Sequence, residues 1–106
     1  MIEKHPINSE RIRRIPQGFG WVDHEVIQNN EFSSKCSVDA KALYFVLITV
    51  ADQDGLSFYG DALLCSKLGL SKGRLDAARK NLIDIDLVAW DKPLYQVLEL
   101  PLKKEV

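Results

Sequence analysis

The chain has 106 residues, 46% of them apolar, and a formal net charge of −1, so it suits one soluble domain with a single core. Its charge excludes a strongly polybasic nucleic-acid binder, and its longest strongly apolar run, Ala42 to Ala51, is short of the roughly 20 residues a bilayer requires. The opening MIEKHPINSE has neither the basic start nor the apolar stretch of a secretory signal, which predicts a cytoplasmic protein without membrane contact.

Charge is unevenly distributed. Residues 1–20 carry four bases against two acids, residues 21–60 two against six, residues 61–92 six against five, and residues 93–106 are balanced. The basic excess therefore sits in the N-terminal arm and, faintly, in the segment after residue 60, a weak electrostatic footprint. Pro6, Pro16, Gly18 and Gly20 interrupt residues 1–20, which read as a flexible basic arm. Trp21, Val22, Val26, Ile27 and Phe32 then recur at spacings that predict a short helix, with Asp23 available to cap it.

The strongest helix begins after Ser37, whose hydroxyl can accept from the first-turn amides, while Asp39 complements the positive end of the helix dipole. Leu43, Val46, Leu47 and Val50 form one face, and Tyr44, Ile48 and Ala51 a second. A helix this apolar is expected to be covered on several sides and to stand at the centre of the fold. Asp52-Gln53-Asp54-Gly55 ends it, and Leu56 to Tyr59 reads as a short strand.

Asp61 is the expected cap of the next helix, which turns Leu64 and Leu68 inward. Gly69 can close it in the left-handed conformation. Leu70 plugs the turn, and Ser71 caps a further helix with Leu75, Ala78, Leu82 and Ile85 at spacings of three and four. Two helices joined by about three residues have helix-turn-helix geometry. Asp86 stands where the chain must turn sharply, and a positive φ is expected there. Leu87 to Trp90 and Leu94 to Leu100 are predicted strands around a tight turn at Asp91-Lys92-Pro93. The fold class is thus α+β: three core helices, an additional short N-terminal helix and a small antiparallel sheet.

The run LGLSKGRLDAARKNLIDIDLVAW, followed by PLYQVLEL, resembles a winged helix-turn-helix domain. The preceding SVDAKALYFVLITVAD is similar to the first core helix of replication-initiator and primosome-type winged helices of bacteria, plasmids and phages. The resemblance spans residues 21–100, leaving residues 1–20 as the arm and 101–106 as a C-terminal tail. It implies binding of double-stranded DNA by a transcription regulator or by an accessory factor of replication or of a mobile element.

On that basis the helix after Ser71 reads the major groove with its N-terminal half. A helical wheel centred on Leu75 and Leu82 turns Gly73, Arg74, Ala77, Lys80, Asn81 and Asp84 outward. Lys72, Gly73, Arg74 and Ala77 are placed for base edges. Arg74 can pair with guanine through two parallel hydrogen bonds, and the small Gly73 and Ala77 permit close approach. Lys67, Arg79, Lys80 and the turn residue Lys92 are the expected phosphate contacts, although Arg79 borders the apolar stripe. Four such contacts would give a log–log salt slope of about −3.6. Arg11, Arg13 and Arg14 of the arm can enter an adjacent minor groove. The competing view of the same helix is a solvated face with ordinary pairs such as Asp76 with Lys80.

Nothing points to an enzyme, a cofactor or a metal. His5 and His24 lack zinc-ligand spacing with Cys36 and Cys65, and those two cysteines are expected as free thiols in a reducing compartment. Ser57, Ser66 and Ser71 have no evident catalytic partner, and GFGW is too short for a phosphate cradle. Trp21, Trp90 and Tyr95 are expected as packing aromatics. The second function class is a winged helix that binds protein, or a second copy of itself, through the same face or the apolar faces of residues 21–50.

Overall fold

Ser37 does what its position predicts. Its hydroxyl accepts from the Ala40 amide at 3.0 Å and starts the central helix of the fold. The computed structural model describes residues 4–5, 7–11 and 30–99, of which 30–32 by backbone alone. Trp21 to Ile27 and the expected cap Asp23 lie outside them. A short helix α1 spans Asn30–Lys35, followed by α2 (Val38–Val50), β1 (Leu56–Phe58), α3 (Asp61–Leu68), α4 (Lys72–Asp84), β2 (Val88–Asp91) and β3 (Leu94–Val97). The architecture is α+β, with four helices and a three-stranded antiparallel sheet of order β1-β3-β2 among the described residues.

Turn chemistry sets the boundaries. Asp52 Oδ1 accepts from the amides of Asp54 and Leu56 at 2.8 and 2.9 Å, folding the chain out of α2 and into β1. Gly55 has φ +80°, and a Cβ there would lie 2.6 Å from the Val97 carbonyl oxygen. Only glycine fits both that dihedral and that approach. Asp86 leaves α4 with φ 64°, the expected left-handed turn. Lys92 and Pro93, joined by a cis peptide bond, connect β2 to β3, and Asp91 belongs to the strand rather than to the turn.

The strand register puts Trp90 opposite Tyr95 and Ser57 opposite the same Tyr95 on its other side. Side chains alternate across a pleated sheet, so Ser57, Val88, Trp90, Tyr95 and Val97 share the inner face. That face meets Ala40, Leu43, Tyr44 and Leu47 of α2, Leu64 of α3, and Leu75, Ala78 and Leu82 of α4 in one core, with Leu87 and Cys36. Burial pushes the Cys36 thiol up from its ordinary range, against a smaller opposing pull from Lys41. Cys36 and Cys65 are free thiols.

Helix α2 is central and packed against α3, α4 and β3, as expected, while Val38 and Phe45, outside both apolar faces, are 80% and 63% exposed. One expectation is corrected here. Asn81 does not simply face outward. Its side chain accepts from the Ser37 amide at 2.8 Å and donates to the Lys35 carbonyl at 3.0 Å. It thereby ties α4 to the chain between α1 and α2, a contact between residues more than 40 positions apart that a helical wheel cannot register.

Candidate nucleic-acid interface

Three residues separate α3 from α4. Gly69 adopts φ 69°, and its amide and that of Leu70 both donate to the Cys65 carbonyl at 2.8 and 3.2 Å, closing α3 in a left-handed cap. Ser71 then accepts from the Arg74 amide at 3.2 Å, satisfying an open donor of the first turn of α4. The expected cap of α3 is corrected. Gly60 occupies that position without a side-chain bond, and Asp61 is the first helical residue. Its carboxylate points instead to Arg79 and Lys72.

Burial along α4 follows its period. Leu75, Ala78, Arg79 and Leu82 are buried, while Lys72, Gly73, Arg74, Ala77 and Lys80 are exposed. A Cβ built on Gly73 meets nothing within 4 Å, so this surface is low and open. Lys67 is exposed in the last turn of α3, Lys92 between β2 and β3, and Arg11 near the N-terminus. Arg13 and Arg14 lie outside the described residues.

Each cation on α4 has an acidic partner. Lys72 Nζ lies 2.8 Å from Asp76 Oδ1 and 3.2 Å from Asp61 Oδ2. Lys80 pairs with Asp84 at 2.8 Å. The expected Asp76–Lys80 pair is thus replaced by two others of the same i, i+4 spacing. Arg74 donates from Nε to Asp39 Oδ2 at 2.9 Å and from Nη2 to Asp39 Oδ1 at 2.7 Å. That bond, opposed by slight desolvation, holds the Asp39 carboxyl below the usual carboxylate range and raises the guanidinium pKa. The Lys72 and Lys80 side chains are 61% and 77% exposed, so their pairs are weak and can be exchanged for a phosphate or a base edge.

Arg79 is the main correction. It is 5% exposed, enclosed between α3, α4 and the sheet, and is not available to a phosphate. Its Nη1 donates to Asp61 Oδ1 and to the Tyr95 hydroxyl, both at 2.8 Å, and Nη2 reaches Asp76 Oδ1 at 2.6 Å. The guanidinium carbon lies 3.9 Å from the Trp90 ring centroid, and Trp90 stacks on Tyr95 at 6.1 Å, so both aromatics act in packing as expected. Burial raises the Tyr95 pKa despite the bond from Arg79. Desolvation pushes Asp61 up as well, but Arg79 and Lys72 outweigh it and hold its carboxyl low. The signal for this role was present in the sequence: Arg79 lies four residues after Leu75 and three before Leu82, on the buried stripe. Asp39 and Asp61 carried no comparable signal, because their partners are 35 and 18 positions away.

Among the described residues no helix is long and apolar enough to cross a membrane, and no group of three or more His, Cys, Asp or Glu side chains could hold a metal ion. No family model, curated protein or solved structure matches the chain.

Proposed function

We propose that the chain is a winged helix-turn-helix protein that binds double-stranded DNA in the cytoplasm, as a regulator or as an accessory factor of replication or of a mobile element, and is not an enzyme. The order α2-β1-α3-α4-β2-β3 supports the fold assignment, with α3 and α4 as the helix-turn-helix and β2–β3 as the wing. The observation that carries the function is the open N-terminal half of α4. There Lys72, Gly73, Arg74 and Ala77 are exposed together, with open space above Gly73. A recognition helix meets base edges with this part of its length. Lys67, Lys80 and Lys92 flank it as phosphate contacts, and Arg11, Arg13 and Arg14 belong to the arm.

A mobility-shift series on duplex DNA at varied salt tests this. With about three phosphate contacts, affinity should fall with a log–log slope of about −2.7, and Lys80→Ala should reduce that slope by about one. A chain that fails to shift any duplex at low salt refutes the proposal. A second reading, a protein-binding winged helix, is favoured by two observations. Lys72, Arg74, Arg79 and Lys80 are matched by Asp39, Asp61, Asp76 and Asp84, and the apolar side chains Val38 and Phe45 are both exposed on α2.

A further inference from the structure

An aspartate facing the candidate DNA surface is electrostatically unfavourable beside phosphates, so Asp39 calls for an explanation. Its carboxylate does not merely lie near Arg74. It takes the Nε–H and one Nη2–H in two short bonds, the side-on bidentate pairing of arginine with carboxylate. A guanidinium has five N–H donors in a fixed plane, so this pairing leaves both Nη1 hydrogens and the second Nη2 hydrogen. One hydrogen on each terminal nitrogen forms the end-on edge, the two parallel donors that suit the O6 and N7 acceptors of guanine. No described residue accepts from that edge, and the Arg74 side chain is 59% exposed. Asp39 is itself held firmly. It lies in the first turn of α2, which packs directly on α4, and the Asn81 side chain fixes the chain at Ser37 just before it.

We infer that Asp39 is a positioning residue, which orients the Arg74 guanidinium so that its end-on edge reads one guanine in the major groove. The inference rests on the DNA-binding proposal and adds a specificity device to it. An unrestrained arginine on a helix surface must freeze several torsions to make two bonds at once. Fixing it beforehand removes an ordering cost that corresponds to about 2- to 12-fold in affinity. The same carboxylate repels phosphates, so it has opposite effects on selective and unselective binding.

The full-length chain is used to select sequences from a duplex library with a randomised core. Binding is then measured to the selected duplex, to versions with each guanine replaced, and to random duplex. The wild type should discriminate against replacement at one guanine. Asp39→Ala should lower that discrimination by about 2- to 12-fold while its affinity for random duplex stays equal or rises. The substitution should have no further effect on discrimination in an Arg74→Lys background, where the fork is absent. Melting curves of each variant check that folding is retained, and a purely structural role for Asp39 would weaken all duplexes alike. If Asp39→Ala keeps the base preference, whether or not it binds more tightly overall, the positioning role is wrong and DNA binding stands. If the wild type binds duplex without selecting a sequence, the positioning role is likewise wrong. If it binds no duplex at all, both proposals are wrong.

Discussion

Replacing Arg79 with alanine distinguishes a structural arginine from a phosphate contact. The change removes the donor to the Tyr95 hydroxyl, which lies on a fully buried ring, and a stranded buried hydroxyl costs about 1–3 kcal/mol. It removes the guanidinium from the Trp90 face, worth about 0.5–2 kcal/mol. It also leaves Asp61 without its nearest cation. Breaking a fully buried pair costs about 3–5 kcal/mol, but the Asp61 side chain is 20% exposed and keeps Lys72 at 3.2 Å, so its share is small. These effects overlap, and the expected total is about 3–4 kcal/mol, a large fraction of the stability of a domain of this size. In thermal melts the midpoint should fall by about 15–25 °C. Arg79→Lys should recover little of this, since an ammonium cannot reproduce the planar fork. Lys80→Ala, on an exposed pair, should stay within about 0.5 kcal/mol of wild type. If Arg79→Ala melts within about 3 °C of wild type, or loses DNA affinity at unchanged stability, the buried-network explanation fails.

Among the described residues, the two left-handed positions outside the helix-turn-helix should respond in opposite ways. Gly55→Ala should destabilise by about 1–3 kcal/mol, because its Cβ would meet the Val97 carbonyl while the Val97 amide is bonded to the Gly55 carbonyl at 2.8 Å. Asp86→Gly should be neutral or stabilising by up to about 1 kcal/mol, since glycine adopts a positive φ without strain. Denaturant melts measure both, and equal costs would refute the distinction. Acid should destabilise the fold. Asp39 and Asp61 titrate below their ordinary range in the folded chain, so between folded and unfolded pKa values the unfolded chain binds more protons. Their contribution is complete above the unfolded value of about 4 and is lost as pH falls through the folded values. Melting midpoints taken from neutral pH downward should therefore drop below about pH 4, and a flat or rising profile there would contradict the ion-pair assignments.

Local chemistry was sufficient for the elements themselves. Ser37 and Ser71 carry a hydroxyl one residue before an apolar period, Gly69 and Asp86 tolerate the left-handed turn, and Leu75, Ala78 and Leu82 recur at helical spacing. Each of these signals acts within about one turn of its own position, so one sequence shows it, and each is found in the fold. The site was less legible. The wheel identified which side of α4 faces outward at Gly73, Arg74, Ala77, Lys80 and Asp84. It put Arg79 beside the buried stripe but could not tell that its partner is Tyr95, that Asp61 serves Arg79 rather than its own helix end, or that Asp39 grips Arg74. Those outcomes depend on which helix and which strand come to lie beside α4. A charged side chain has no intrinsic preference among partners that are equally absent from its local sequence. Tertiary packing chooses the partner, because a guanidinium can be buried only where acceptors from several elements converge to replace its water.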